Sequence, residues 1–444
     1  MTSSNAALNP GRERGREYLK LVLFGAVIGI PAALLATVFL AVVHWLEDLL
    51  WTTLPLQLGA EEPPWYLLLV IPVVGALIVA FARRFLPGDG GHSPLEGIGG
   101  GATPVRFAAG IALAALGTLA FGAVLGPEAP LIALGSVVGM ALVPYVKLDE
   151  RSQGVLATAG SFSAVSALFG GPLVAGILLL EGGLAAGTAL IPALLPGLAA
   201  AAVGYVLFVG LGNWVGLHAS SLAVPDLPAY DSTRILDLLL AVVVGVAASL
   251  LMTVVKRVGR TIDQAAAVDR RRSFIILLLG GLIVGILAMV AQWLGIDHDQ
   301  ILFSGQAGIP GTLQQTSIGL LVVIIAAKAI GYAVCLGCGF RGGPVFPAVF
   351  LGVAVAMIPA LGLGSSITWA LVVGAAAGMT AGTGMVFSSL LFATLLGGSS
   401  GNDALPAAVL AVLAAWLTNA ALKRRADAKT EPTEPTQPAK PSEG

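Results

Sequence analysis

Apolar segments follow one another along almost the whole chain, and this feature restricts the fold more than any other. Hydrophobic residues make up 57% of the sequence and charged residues only 11%, which excludes an ordinary soluble domain. The segments lie near residues 18–46, 65–86, 107–124, 128–146, 154–169, 172–186, 188–211, 234–258, 274–294, 316–338, 345–362, 367–382, 384–397 and 403–422. Several are too short to cross about 30 Å of hydrocarbon. The sequence therefore predicts an all-α polytopic membrane protein of tilted, broken and partly spanning helices over residues 18–422.

The polar ends and the basic residues predict an orientation in the membrane. Residues 1–17 and 423–444 are rich in charged and polar side chains and are predicted to be disordered. Lys and Arg favour the cytoplasmic side, and they cluster in both ends, at Arg83 and Arg84, and in residues 256–272. We therefore expect a multi-pass protein of the plasma or inner membrane with both termini in the cytoplasm.

The pattern Gly-Pro-x-x-Pro occurs twice, as G-P-E-A-P at residues 126–130 and as G-P-V-F-P at residues 343–347. The two copies are 217 residues apart, and each is followed at the same offset by a Leu-Gly pair, at residues 134–135 and 351–352. Interrupted apolar segments at corresponding places in two halves indicate a transporter site built on an internal repeat. Two unrelated Pro/Gly helix breaks are the ordinary alternative.

The two copies divide the membrane domain into halves at about residues 18–211 and 234–422, joined by a less apolar link at residues 212–233. The basic residues place the start of the first half inside and its end outside, and they reverse this order in the second half. The sequence therefore predicts repeats of inverted topology.

Glu128 places a carboxyl group in the middle of a long apolar region. An ionisable side chain at membrane depth is costly and is by default a candidate for function. Pro127 and Pro130 end the preceding helix and suit the first turn of a new one, which predicts a helix start near Glu128. Free N–H groups at such a start form a site for an anion. The residues around this helix start that are predicted to form the site are Gly126, Pro127 and Ala129.

With these motifs the chain resembles the chloride channel/transporter (CLC) family. In that family a G-[KR]-E-G-P motif begins a helix at the anion pathway and its Glu is the gate, a role that the resemblance assigns to Glu128. The family's G-x-F-x-P motif is similar to residues 343–347, which implies that Gly343, Val345 and Phe346 also belong to the anion site. Its N-A-P-L-x-G motif followed by paired Glu resembles residues 171–181. Residues 91–94 approximate a fourth motif, G-S-G-x-P. The resemblance covers about residues 18–422 and implies the CLC fold and a homodimer with one pathway per subunit.

The chain departs from the family pattern at the anion site. The counterpart of G-S-G-x-P is one residue short, so Ser93 is the predicted hydroxyl for the anion and His92 is the less favoured substitute. A helix cap and a loop residue are the ordinary roles of these two. Pro344 has no N–H, so the second copy lacks one backbone donor while Val345 and Phe346 keep theirs.

The chain also departs from the family at the proton path and at the pore. Glu181 is the one acid at the paired-Glu motif, because Gly182 stands at the second position. The resemblance makes Glu181 the proton-path candidate, and a helix cap is its alternative role. The family's pore Tyr lies beyond the last long helix, where this chain has no Tyr.

The expected function is chloride-type anion transport, as a channel or as an anion/proton exchanger. Fluoride or another anion is the alternative, and a membrane enzyme or a structural membrane protein is a third interpretation. Against an enzyme, the sequence offers no nucleophile–base set, no metal site and no cofactor motif. Cys335 and Cys338 are interpreted as small buried residues rather than as a redox or metal pair. The expected partners are a small anion, protons, the bilayer and a second copy of the chain, and a net charge of −1 gives no case for nucleic acid.

Overall fold

The computed structural model describes residues 10–145, 149–182, 192–214, 222–230 and 232–430. The α-helices within these ranges are α1 (Pro10–Asp48), α2 (Leu54–Gln57), α3 (Trp65–Phe85), α4 (Ala108–Leu119), α5 (Glu128–Leu142), α6 (Glu150–Leu168), α7 (Pro172–Gly182), α8 (Leu194–Trp214), α9 (Ile235–Ala266), α10 (Arg270–Trp293), α11 (Gly308–Leu313), α12 (Ile318–Cys338), α13 (Val345–Leu363), α14 (Ile367–Thr383), α15 (Phe387–Gly397) and α16 (Leu405–Thr430). A π-helical turn, Leu49–Thr53, joins α1 to α2.

The predicted all-α membrane fold is confirmed. Eight helical stretches in the described part of the chain are long and apolar enough to cross a membrane. The short apolar segments form α7 and α15, with 11 residues each. A helix of this length extends about 16 Å, roughly half of the hydrocarbon thickness. The protein is thus a multi-pass membrane protein that mixes spanning helices with partly spanning ones.

Both predicted disordered ends are partly helical. α1 begins at Pro10 and α16 continues to Thr430. Arg, Glu, Leu, Lys and Ala all have high helix propensity, so these helices continue beyond their apolar parts. α9 also exceeds its prediction and ends at Ala266, which shortens the basic loop to residues 267–269. Parts of the predicted segments lie outside the described residues, namely 1–9, 146–148, 183–191, 215–221, 231 and 431–444.

The two halves repeat the same set of helix contacts. In the first half α1 packs on α8 and α6, and in the second half α9 packs on α16 and α14. α5 packs on α6 in the same way as α13 packs on α14. Between the halves, α3 contacts α10 and α7 contacts α15. The internal repeat that the sequence predicts is therefore present in the helix packing.

The repeated Leu-Gly pairs have a packing role. A Cβ added at Gly135 would collide with the Gly160 carbonyl of α6, and one added at Gly352 would collide with the Gly374 carbonyl of α14. Small residues at such positions allow two membrane helices to approach closely. Equivalent glycines therefore allow close packing of the equivalent helix pair in each half.

Asp89 ties the glycine-rich loop after α3 to the loop before α13. Arg83 Nε donates to Asp89 Oδ1 at 3.0 Å. Arg341 Nε donates to the Asp89 carbonyl at 2.9 Å, and Arg341 Nη2 pairs with the Asp89 carboxylate. Arg341 is only 7% exposed, so its charge needs these partners. The cluster holds the loop that carries His92 and Ser93 beside the second copy of the motif.

We expect Asp89→Asn to destabilise the protein. Asn keeps the shape and tolerates the left-handed backbone at this position, where φ is 47°. It removes the charge opposite Arg341, which costs about 1–3 kcal/mol. The thermal unfolding midpoint in detergent should therefore fall. Asp226→Asn is the matched control, because Asp226 is an exposed aspartate with φ of 56°. Equal midpoints for the two variants would contradict the role given to this cluster.

Candidate functional site

The two copies of the repeated motif meet in an antiparallel bridge between Gly126 and Gly343. Gly126 N donates to Gly343 O at 2.8 Å, and Gly343 N donates to Gly126 O at 2.6 Å. Backbone groups at membrane depth need partners inside the protein, and here each broken segment supplies them for the other. The bridge joins residues that are equivalent in the two halves, so it lies on the axis that relates them.

Glu128 lies at the first position of α5 and reaches across this bridge to the start of α13. Its Oε1 accepts hydrogen bonds from Val345 N at 2.6 Å and from Phe346 N at 3.2 Å. The residue is fully buried, and its Oε2 has no hydrogen-bond partner among the described residues. A carboxylate thus occupies the N–H groups at the start of α13, where an anion is also favoured.

The other residues predicted for the anion site have a different part in its geometry. The N–H groups of Gly126 and Gly343 bond each other, so they are not free to bind an anion. Instead these glycines leave room, because a Cβ at either one would collide with the Glu128 carboxyl group. Pro127 precedes α5 and Ala129 is buried in its first turn. The N–H groups of Val345 and Phe346 are thus the ones that face the carboxylate.

A cavity of about 450 Å³, which we call the basic cavity, reaches the site from one side. Its wall includes Pro344, Lys256, Arg260, His92 and Glu181. Lys256 and Arg260 belong to the last turns of α9, on the part of the helix that the sequence predicts as a loop. The cavity connects these basic side chains with the residue that precedes α13.

The structure does not bring Ser93 onto the described wall of this cavity, although its neighbours His92 and Pro94 belong to it. Ser93 is half-buried and precedes the short 3-10 turn Pro94–Glu96, and its hydroxyl makes no capping bond there. His92 Nδ1 lies 3.3 Å from Glu96 Oε2. The choice between Ser93 and His92 as an anion ligand stays a prediction.

A second cavity of about 820 Å³, which we call the acidic cavity, reaches the site by way of Leu125 and Pro127. The titratable residues in its wall are His44, Glu47, Asp48, His298 and Asp299. The two cavities are equivalent in the repeat, because residues 217 apart line both of them. Such equivalent pairs include Leu119 and Leu336, Pro127 and Pro344, and Leu168 and Met385. Since the repeats are inverted, the cavities approach Glu128 from opposite sides.

Tyr332 on α12 is a site residue that the sequence did not reveal. Its hydroxyl donates to Pro344 O at 2.7 Å, and its ring lines the basic cavity although the residue is almost fully buried. The family's pore Tyr is expected after the last helix, whereas this Tyr lies within an apolar segment, where it is not distinguished from a core residue. Proximity in the fold is what identifies it.

Aromatic packing fixes the first turn of α13. The Phe346 ring stacks on Phe169 with centroids 5.5 Å apart, and Phe392 contacts both rings edge-on. Phe169 belongs to the first half of the chain and the other two belong to the second. The three rings therefore hold the N–H group of Phe346 in place from both halves.

Glu181 caps the start of α15. Its Oε1 accepts from Val386 N at 3.1 Å and Phe387 N at 2.8 Å, and its Oε2 accepts from both the N–H and the hydroxyl of Ser388. The capping role that the sequence left open is therefore present. Glu181 also lines the basic cavity, so its geometry leaves the proton-path role as a prediction.

Two further groups bear on the sequence-based predictions. Cys335 and Cys338 are free and buried, and Cys335 Sγ accepts from Val124 N at 3.2 Å. Asp297, His298 and Asp299 bring ligand-type atoms within 4.8 Å of one another, although the sequence search gave no cluster with metal spacing. Asp297 is exposed and the other two are half-buried, and exposed acidic groups commonly carry no metal. Their position in the acidic cavity is the more informative observation.

A family model described as "Voltage gated chloride channel" matches residues 74–419. The chain belongs to this family. Among curated relatives, YfeO of Escherichia coli O17:K52:H18, described as a candidate ion-transport protein, is 31% identical over 359 residues. That match covers 78% of this chain and 80% of YfeO. YfeO of Shigella boydii serotype 18 is 31% identical over 360 residues with the same coverage. The resemblance inferred from the motifs is therefore confirmed, and the chain is an anion transporter of the CLC family.

Solved structures show the same fold. A slow cyanobacterial Cl⁻/H⁺ antiporter has a TM-score of 0.74 at 17% identity and covers 92% of this chain and 98% of its own. A CLC-type fluoride/proton antiporter has a TM-score of 0.70 at 21% identity, with 90% and 96% covered. Because these identities are low, the comparisons support the architecture and leave the transported ion to be argued from the site.

We expect Gly126→Ala to displace the Glu128 carboxyl group from its position. The atoms nearest to an added Cβ are the two carboxyl oxygens and the carbon that joins them, at the free end of a flexible side chain. Anion flux in liposomes should therefore depend less on pH than in the wild type. Gly154→Ala in α6 is the control, because its Cβ meets nothing within 4 Å. Unchanged pH dependence in a folded Gly126→Ala protein would contradict this view of the site.

Proposed function

We propose that the chain carries a small anion between the two cavities and that protonation of Glu128 opens the path. The observation that carries this proposal is the pair of hydrogen bonds from Val345 N and Phe346 N to Glu128 Oε1. Those N–H groups form the positive end of α13, and one negative group at a time can use them. Glu128 and a transported anion therefore compete for the same donors.

Protonation weakens the hold of Glu128 on these donors. A charged carboxylate forms hydrogen bonds about twice as strong as those of a neutral acid, so a neutral Glu128 leaves the start of α13 more readily. The anion loses water, gains the two N–H groups and leaves toward the opposite cavity, and binding stays weak enough for release. Proton binding and anion movement are thus linked through one side chain. The linkage operates in a channel gated by protons and in an anion/proton exchanger alike.

Chloride is the first candidate for the anion, and fluoride is the second. Pro344 supplies no N–H, so the start of α13 offers the N–H groups of Val345 and Phe346 alone to the ion. We expect weaker chloride binding than in a family member with the complete motif. The structural neighbours include both a Cl⁻/H⁺ and a fluoride/proton antiporter, so one efflux experiment should compare the two ions.

The location and assembly follow from the same proposal. The basic cavity faces the cytoplasm, because Lys and Arg favour that side, and both termini lie there too. The protein resides in the plasma or inner membrane as a homodimer with one pathway per subunit, as the family resemblance implies.

The proposed orientation predicts the labelling of a cysteine at Ala267. This residue lies in the turn between α9 and α10, on the side proposed to be cytoplasmic. In intact cells of a variant without Cys335 and Cys338, Ala267→Cys should react with a membrane-permeant thiol reagent but not with an impermeant one. A cysteine at Gly295, in the turn after α10, should react with both reagents. The reverse pattern would invert the assignment of the two cavities.

Glu128→Gln tests the gate directly. Gln keeps the shape of the protonated acid but carries no charge, so it competes with the anion less strongly at every pH. Anion efflux from liposomes, followed with an ion-selective electrode, should persist and should lose its dependence on pH. Any coupling to protons should be lost as well. If wild-type protein moves neither chloride nor fluoride, or if the variant keeps the pH dependence, the proposal is wrong.

Glu181→Gln is the companion variant in the same assay. If Glu181 carries protons, the variant should lose proton movement and keep anion flux. If Glu181 acts only as the cap of α15, anion and proton movement should keep their ratio, and the main effect should be a loss of stability of about 1 kcal/mol. The ratio of the two fluxes therefore separates the two roles.

A further inference from the structure

The acidic and basic cavities are equivalent in the repeat but differ in the charged residues of their walls. The described wall of the acidic cavity includes Glu47, Asp48 and Asp299, together with His44 and His298, and it includes neither Lys nor Arg. The wall of the basic cavity includes Lys256 and Arg260 together with Glu96 and Glu181, so its formal charges balance. Carboxylates repel an approaching anion and attract a proton. The acidic cavity is therefore better suited to protons than to the transported anion.

A local change in helix geometry follows Glu47 closely in the chain. α1 ends at Asp48 and continues as the π-helical turn Leu49–Thr53. Such turns are rare and occur frequently at functional sites. Trp51 in this turn is buried, donates from Nε1 to Ala120 O at 3.0 Å and stacks on His298 with ring centroids 5.7 Å apart. The turn thus fixes the end of α1 against the loop that carries His298.

His298 lies between two carboxylates. Its Nδ1 is 3.1 Å from Asp297 Oδ1, and its Nε2 is 3.5 Å from Asp299 Oδ1. Burial by itself lowers the pKa of the imidazole, but the hydrogen bond to Asp297 and the charges of Asp299, Asp297 and Glu62 outweigh burial and raise it. Burial, aided by the charge of Asp297 and opposed by His298 and Lys328, raises the pKa of Asp299. Both groups therefore hold protons at higher pH than they would in water.

Lys328 anchors the loop that carries His298 and Asp299. The residue is fully buried on α12, and its Nζ donates to Leu302 O at 2.5 Å and to Phe303 O at 3.1 Å. The ammonium group also lies 4.7 Å from the centre of the Phe350 ring. Phe303 adopts a left-handed backbone, with φ of 57°, and its ring contacts Trp51 edge-on. A buried cation is thus used to position the turn that carries the titratable residues.

We propose that Glu47, His298 and Asp299 form a proton-transfer cluster that takes protons from the solution at the acidic cavity and passes them to Glu128. This inference rests on the function proposed above. The proton leaves a hydronium ion for a carboxylate or imidazole of the cluster and then passes through water in the cavity to Glu128. The cavity wall extends to Leu125 and Pro127, which are close neighbours of Glu128 in the chain.

The state of Glu128 supports this direction of transfer. Its Oε1 is engaged by two N–H groups, whereas its Oε2 is buried and has no partner in the described part of the chain. That oxygen is the one available to take a proton.

The charges around the cluster come from four elements. His44 and Asp48 lie beside Glu47 on α1, Asp297 lies in the same turn as His298, Glu62 precedes α3, and Lys328 belongs to α12. Lys328 is the cation among these groups, and its ammonium group is directed to backbone carbonyls. The field of the cluster is therefore negative, and removal of one carboxylate should make protonation of Glu128 harder.

The test measures anion efflux from liposomes as a function of pH for wild type, Glu47→Gln and Asp299→Asn. Each substitution should shift the midpoint of the pH dependence toward acid, because it removes a negative charge that attracts protons to the cavity. Glu47→Asp keeps the charge and should retain the wild-type midpoint. Glu61→Gln makes the same charge change at an exposed residue outside the described cavity wall and should leave the midpoint unchanged.

The outcomes separate this inference from the function on which it rests. Glu128→Gln could remove the pH dependence while Glu47→Gln and Asp299→Asn behave like Glu61→Gln. In that case the proton-transfer role of the cluster is wrong and the gating role of Glu128 is retained. If Glu128→Gln leaves the pH dependence intact, both the gating role of Glu128 and the proton-transfer role of the cluster are wrong. Size-exclusion profiles in detergent identify any variant that fails to fold, and Asp299→Asn, which is nearly isosteric, gives a result independent of Glu47→Gln.

Discussion

A backbone that breaks its helix inside a membrane must find hydrogen-bond partners within the protein, and this requirement organises the centre of the molecule. The chain meets it with two equivalent breaks that bond each other through Gly126 and Gly343. Prolines before α5 and α13 leave few donors free, and Glu128 uses two of those at the start of α13. The position of the carboxylate is therefore a consequence of how the two breaks are joined.

Three of the buried charged residues are accommodated in different ways. Glu128 is held by backbone N–H groups, Arg341 by one aspartate, and Lys328 by two carbonyls and an aromatic ring. An ion pair fixes a loop, because opening the pair leaves a buried charge without its partner. A carboxylate held only by N–H groups can leave when it is neutralised, since another anion can replace it. This difference separates the structural charges from the one proposed to move.

The sequence predicts the parts of the site that depend on local signals. Pro127 and Pro344 mark helix starts, and Glu128 is conspicuous as an acid in an apolar region. Tyr332 and Glu47 could not be predicted from local signals. In the sequence Tyr332 resembles a core residue and Glu47 resembles a polar helix end, and only the fold shows that each lines a cavity. Lys328 carried the same signal as Glu128, an ionisable residue at membrane depth, and could have been found. The extra length of α9 was missed because charged residues with high helix propensity resemble a loop when only hydrophobicity is considered.

The bridge between Gly126 and Gly343 also has a consequence for how such a protein can evolve. Each of these residues is the other's counterpart in the duplicated halves, so a substitution in one half directly changes the contacts of the other half. Close to the axis the two halves must change together or not at all. At the cavity mouths, counterparts lie far apart and face different solutions, so one half could acquire acids while the other acquired bases. A duplicated chain can in this way keep a symmetric centre and still give a direction to what passes through it.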